Sequence, residues 1–134
     1  MKIQDYADVY RLWDSLPGIG LSEADQQPAI QTYLNHNAGL SQVAVQDNRV
    51  VGAVLCGHDG RRGYLHHLAV APEVQRQGIG RALLRTCLER LRRLGIQKCH
   101  IFLIPDNREG QVFWEQNGFY LRHDLQLMSC DLID

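Results

Sequence analysis

The sequence has no long hydrophobic run. Its apolar stretches, such as Val50-Val51 and Leu68 to Ala71, last only a few residues, far short of the ~20 that span a bilayer. The opening Met1-Lys2-Ile3-Gln4-Asp5 turns acidic at once and carries no apolar signal core, so a soluble, cytoplasmic protein with no membrane partner is expected. Cysteine is sparse: Cys56, Cys87, Cys99 and Cys130 include no C-x-x-C pair and form no cluster with histidine. A disulfide framework and a zinc site are therefore not expected, no metal is assigned, and reduced thiols suit a cytoplasmic address. Low-complexity tracts, Pro/Ser-rich linkers and internal repeats are also missing, which argues against disorder or an array. What remains is a chain of 134 residues, 45% hydrophobic and 22% charged. That is enough for a single domain over residues 1–134, whose core buries about two thirds of the unfolded surface without covalent staples.

The net charge of −1 conceals an uneven distribution. Residues 1–48 and 99–134 each carry six acids against two bases, whereas residues 49–98 carry ten Lys/Arg against Asp59, Glu73 and Glu89. A basic middle between acidic flanks points to a local anionic ligand. The alternative for Arg85, Arg90, Arg92 and Arg93 is a solvated helix face. Nucleic acid is not expected as a partner, because these cations interleave with a hydrophobic helix face and bring no aromatic stacking platform.

Periodicity supplies the elements. Tyr6, Val9, Tyr10, Trp13 and Leu16 recur at i, i+3, i+4 spacing up to Pro17-Gly18, predicting a short helix, and a second opens at Ser22 with Asp25 and runs to about Asn37. Residues 41–46 and 49–57 read as a hairpin turned at Asp47-Asn48, and 64–70 as a third strand after the His58 to Gly63 turn. Ile79, Leu83, Leu84, Cys87, Leu88, Leu91 and Leu94 mark an amphipathic helix ended by Gly95. A strand over 98–104, a helix over 109–117 and two more strands within 119–132 complete the pattern. The fold class is α/β (α+β), a mixed sheet flanked by about four helices.

The densest signal is Gln75-Arg76-Gln77-Gly78-Ile79-Gly80-Arg81-Ala82, after a strand and at the opening of the long helix. Glycines let a ligand approach the backbone, and a helix's first turn exposes N–H groups that lack intrahelical acceptors. Those groups, the helix dipole and the charges of Arg76 and Arg81 suit a phosphate or pyrophosphate. The alternative is a tight strand-to-helix turn. A P-loop is excluded, because Gly80 is followed by Arg81-Ala82 and not by Lys-Ser/Thr; a Rossmann dinucleotide site is excluded, because Leu83 stands where the third glycine belongs and residues 98–104 hold no acid.

Gln-x-x-Gly-x-Gly following Leu68-Ala69-Val70-Ala71-Pro72-Glu73 resembles the acyl-CoA site of the GNAT superfamily of N-acetyltransferases. Asn107 and the run Phe113-Trp114-Glu115-Gln116-Asn117-Gly118-Phe119 resemble its later pantetheine and helix-to-strand motif. The resemblance implies acetyl-CoA as co-substrate and an amine acceptor as partner, with a mostly antiparallel sheet. It also implies that backbone amides from Gln77 to Arg81 hold the pyrophosphate, that the strand edge at Leu68, Ala69 and Val70 pairs with the pantetheine arm, and that Asn107 and Trp114 border that arm. Two departures stand out. Only Lys2 and Ile3 precede the first helix, so the first strand is short or absent and a second subunit, as in a homodimer, is one way to cover the edge. Trp114 also replaces the tyrosine that in the family protonates the leaving thiolate, and an indole N–H donates a hydrogen bond but not a proton near neutral pH.

For the chemistry, an amine must be made neutral and the developing oxyanion stabilised. Strict alternation along Tyr64-Leu65-His66-His67-Leu68-Ala69-Val70 puts Tyr64, His66, Leu68 and Val70 on one face and Leu65, His67 and Ala69 on the other. Only one histidine then faces the thioester. His66 is assigned as the base, resembling by position a histidine of the serotonin N-acetyltransferase branch, with Tyr64 beside it. His67 is expected under a helix. By the same resemblance the Val70 N–H is the oxyanion donor, while a CoA thiolate, with a pKa near ~8.5, leaves and takes a proton from water. Asp59, Arg61 and Arg62 read either as an acceptor-carboxylate site or as surface ion pairs. Trp13, Tyr33 and Trp114 read as core or as acceptor-pocket lining. A CoA-binding sensor that has lost catalysis is the alternative to the enzyme.

Overall fold

The computed structural model describes residues 1–133. The chain divides into two compact units, Met1 to Phe102 and Leu103 onward.

The first unit holds the sheet. After a 3-10 turn at Ile3–Asp5 come helix α1 (Tyr6–Ser15), a second 3-10 turn at Glu23–Asp25, and helix α2 (Gln27–His36) with Pro28 in its first turn, where the missing N–H costs nothing. Strands β1 (Gln42–Gln46), β2 (Arg49–His58) and β3 (Gly63–Val70) follow, then α3 (Ile79–Arg93) and a two-residue β4 (Cys99–His100). The sheet order is β1-β2-β3-β4, antiparallel except for the parallel β3–β4 pair. Asp47 and Asn48 turn the first hairpin at φ +52° and +61°, the mirror-image turn whose twist matches the strands. No strand precedes α1 among the described residues.

Two layers of helix clasp this sheet. Val51, Ala53 and Leu55 bury one face of β2 with Val9, Leu12 and Trp13 of α1 and Ile30 of α2. On the other face Gly52 and Gly63 let α3 sit close: a Cβ at Gly52 would lie 3.0 Å from Leu83 Cδ1 and 3.1 Å from Ile79 Cγ2, and one at Gly63 would lie 2.7 Å from Leu91 Cδ1. Leu83, Leu84, Cys87 and Leu91 are the buried stripe of α3, as its spacing predicts.

The second unit contains helix α4 (Arg108–Gln116), opened by Asn107, whose Oδ1 accepts the Gly110 N–H (2.9 Å). Two expectations fail. The strand expected over 98–104 forms a ladder only at Cys99 and His100, and no strand forms within 119–132. Alternating apolar residues become a strand only where a neighbouring backbone offers a ladder, and β3 offers β4 just Gly63 and Tyr64.

Candidate functional site

The loop after β3 is built to leave donors unsatisfied. Arg76 (φ +66°) and Gly78 (φ +82°) both take the left-handed conformation, bending the chain sharply into α3. The first helical hydrogen bond runs from the Ala82 N–H to the Gly78 carbonyl (3.0 Å), so the N–H groups of Ile79, Gly80 and Arg81 have no intrahelical acceptor. No side chain caps them. Nothing lies within 4 Å of where a Gly78 Cβ would be, and Gln75, Arg76, Gln77, Arg81 and Ala82 are exposed. Uncapped donors beside two guanidinium side chains and open space fit an anionic ligand of phosphate type.

The strand end beside it carries a second free donor. In an antiparallel pair, hydrogen-bonded and non-bonded positions alternate. Ala71 N–H donates to the Val51 carbonyl (2.8 Å), so the adjoining pair Gly52↔Val70 is the non-bonded type and the Val70 N–H points away from β2. On that side the β4 ladder has already ended at Tyr64↔His100. The Val70 carbonyl accepts from Gln75 Nε2 (3.0 Å), which ties the loop to the strand.

Between Tyr64 and Val70 the strand does not alternate. Leu55 pairs with His66 and Ala53 with Ala69, so two residues of β3, His67 and Leu68, stand opposite Val54 alone. This is a β-bulge. His67 takes φ +55°, a conformation that costs a non-glycine residue about 1 kcal/mol or more and persists only where surroundings enforce it. Here Trp13 Nε1–H donates to the His67 carbonyl (2.9 Å), and Asp25 Oδ1 lies 2.9 Å from His67 Nε2. The expected division of faces is therefore wrong beyond His66. Tyr64 and His66 share a face with Ala69, and both histidines meet the helices on that side: His66 faces Tyr33 of α2 edge-on (6.4 Å between centroids) and His67 faces Trp13 of α1 (5.1 Å). His67 does lie against a helix, as expected, yet it is on His66's side.

Around His66 the site is aromatic. Phe102 stacks on His66 (5.9 Å) and on Tyr64 (6.3 Å), and His100 is tilted against Tyr64 (5.6 Å). Burial, ahead of the neighbouring His67 charge, holds the His66 imidazole below the ordinary histidine value, while Asp25 acts weakly in the other direction. Tyr33 is pushed up by burial, and its hydroxyl has no hydrogen-bond partner among the described residues. Trp13 is fully buried, a core residue with one polar contact.

Asp59 Oδ1 accepts the N–H groups of Arg61 and Arg62 (2.8 Å each), which holds its carboxyl below the usual range and makes it a turn-former. In the second unit Trp114 packs edge-on against Phe113 (5.2 Å) and Phe119 (4.9 Å). Sequence reasoning missed Asp25 and Phe102 as neighbours of the strand. The one local signal for Asp25 is its place three residues after Ser22, which marks helix capping and says nothing about β3.

The acetyltransferase (GNAT) family model matches residues 6–119, most of the chain. The chain belongs to the GNAT family. Solved acetyltransferase structures share its fold. PaiA N-acetyltransferase from Thermoplasma acidophilum, in complex with coenzyme A, aligns at 19% identity over 91% of this chain and 87% of that one, with TM-score 0.78. Ard1 from Thermoplasma volcanium aligns at 20% identity over 91% and 80%, with TM-score 0.80. An aminoglycoside acetyltransferase from an uncultured soil metagenomic sample, in complex with sisomicin, aligns at 17% over 99% and 93%, with TM-score 0.72. This GNAT chain is an acetyl-CoA-dependent acyltransferase. Among its described residues no group of three or more His, Cys, Asp or Glu is placed to hold a metal ion, and no helix is long and apolar enough to cross a membrane.

Proposed function

We propose that this protein is a single-domain N-acetyltransferase that moves the acetyl group of acetyl-CoA directly to a primary amine, of a small molecule or a peptide, in a ternary complex. The observation that carries the reading is the uncapped first turn of α3 beside the outward-pointing Val70 N–H. In this reading the amides from Gln77 to Arg81 hold the pyrophosphate, assisted by Arg76 and Arg81, and the edge at Leu68, Ala69 and Val70 receives the pantetheine arm. The Val70 N–H donates to the carbonyl oxygen of the thioester as negative charge develops there, a contribution worth ~3 kcal/mol. His66 accepts, through water, the proton that the attacking nitrogen releases. Its burial among Tyr33 and Phe102 keeps the imidazole neutral at pH 7 and therefore able to accept. Tyr64 packs beside it through Phe102. The CoA thiolate leaves and is protonated from solvent. A homodimer in the cytoplasm is compatible with this reading and is not needed for it.

Isothermal titration with acetyl-CoA and with desulfo-CoA tests the cradle. Both bind the wild type, and Gly80→Glu, which puts a carboxylate at the donors, removes binding of both while far-UV circular dichroism stays native. Unchanged affinity in that variant sinks the cradle assignment. Thiol release across an amine panel then tests transfer, and a protein that binds acetyl-CoA yet acetylates no amine is not the enzyme proposed.

A further inference from the structure

A primary amine reaches the site at neutral pH mostly as an ammonium ion, because alkyl amines have pKa values near ~10. Two protons must leave its nitrogen on the way to an amide, one before attack and one after, and His66 accounts for only one. The structure contains a second arrangement suited to a proton. Asp25 is 7% exposed and each of its carboxylate oxygens is held: Oδ2 accepts the Ser22 N–H (3.0 Å) and Oδ1 lies 2.9 Å from His67 Nε2. An ionised carboxylate can only accept, so Nε2 carries the hydrogen, and in the neutral imidazole Nδ1 holds a lone pair. Nδ1 takes no hydrogen bond among the described residues, and the His67 side chain, 19% exposed, reaches the surface. The bulge that strains His67 also turns it onto His66's side, with 6.5 Å between the rings.

We propose that His67, oriented by Asp25, is the group that removes the ammonium proton from the acceptor amine before attack, leaving His66 to take the second proton. The inference rests on the acetyl-transfer reading above. The ammonium proton passes to His67 Nδ1, and the resulting imidazolium is paired with the Asp25 carboxylate and later releases its proton to solvent. The neutral nitrogen attacks the acetyl carbon; a C–N bond forms and the C–S pair leaves on sulfur. The second N–H proton goes to His66 and on to solvent, from which the thiolate takes one. The sum is ammonium plus acetyl-CoA giving amide, CoA thiol and one proton. The titratable groups around the pair are His66 on β3, Tyr6 and Tyr10 on α1 and Tyr33 on α2, with the Tyr6 hydroxyl donating to the Asp25 carbonyl (2.8 Å). None of these four is a carboxylate. Asp25 is thus a positioning residue: Oδ2 accepts from Ser22 in the turn, and Oδ1 orients His67.

The test compares two isosteric acceptors, 2-phenylethylamine, an ammonium at pH 7, and O-benzylhydroxylamine, which is neutral there. With Asp25→Asn and with His67→Asn, transfer to the amine falls by about 10²-fold, transfer to the hydroxylamine stays within about twofold of wild type, and affinity for acetyl-CoA is unchanged. Asparagine tolerates the left-handed backbone at position 67, so the second variant covers the case in which Asp25→Asn fails to fold. His66→Gln slows both acceptors. Equal loss with both acceptors in the position-67 variant, or loss with neither, overturns the assignment and leaves the acetyl-transfer reading standing. A wild-type protein that acetylates neither this pair nor any amine overturns that reading, and the inference with it.

Discussion

At the scale of single residues, His66 is the group whose environment most alters its chemistry. Burial lowers its affinity for a proton relative to the unfolded chain, so between the lowered value and the ordinary ~6.5 the unfolded state binds more protons than the folded one. Stability is therefore full above pH ~6.5, declines as pH falls below it, and levels off once the folded His66 also protonates. Urea midpoints measured across that window should slope in the wild type and slope less in His66→Gln. Turnover follows the same ionisation from the other side: the acidic limb of kcat/KM lies below pH ~6.5, and His66→Gln lowers kcat by about 10²-fold without weakening acetyl-CoA binding. Retention of wild-type turnover would make the histidine structural. That a histidine on this strand is a candidate was legible from its position before Leu68, Val70 and the glycine loop. That its neighbour joins it was not legible. The bulge has no glycine to announce it, and the two groups that enforce it, Trp13 and Asp25, lie 54 and 42 residues away in sequence.

At the scale of elements, α3 links the core to the glycine loop. Its N-terminal residue Ile79 and its buried Leu83 rest on Gly52, while Leu91 rests on Gly63. Gly52→Val pushes the first turn off the sheet, and overpacking of this kind costs about 1–3 kcal/mol. Because the displaced turn carries the uncapped donors, affinity for acetyl-CoA should fall together with thermal stability. Leu91→Ala, at the other end of the same helix, leaves a cavity costing about 3 kcal/mol and should leave affinity intact once the protein is measured well below its midpoint. Equal loss of affinity in both variants would mean that the helix transmits packing defects along its whole length. The helix was readable because one 3.6-residue stripe is buried from Leu83 to Leu91. The hairpin was readable because Asp47-Asn48 suits its turn. The strands after residue 100 were read from alternation alone, and alternation describes what a chain would bury in a sheet without stating that a partner edge exists.

At the scale of the whole molecule, the charge is nearly balanced in sum and strongly segregated in place. The ten Lys/Arg of residues 49–98 all fall within the first unit, five of them on α3 and Arg76 in the loop before it. Several of them have partners of their own: Arg93 pairs with Glu89 (3.0 Å), Arg49 with Glu73 (3.5 Å), and Arg90 donates to the Gly39 carbonyl. Such exposed pairs contribute little to stability, which leaves the field they create as their main physical effect. A polyanionic co-substrate approaching this face is attracted over roughly the Debye length, about 10 Å at 0.1 M salt and about 3 Å at 1 M. Association with acetyl-CoA should slow by about tenfold across that range, and dephospho-CoA, which lacks one phosphate, should slow less. Arg76→Gln and Arg81→Gln, beside the donors, should each flatten the salt dependence, whereas Arg92→Gln, at the far end of α3, should not. If all three variants flatten it alike, attraction comes from the face as a whole, and the loop supplies only the amide hydrogen bonds that hold the phosphates once they arrive.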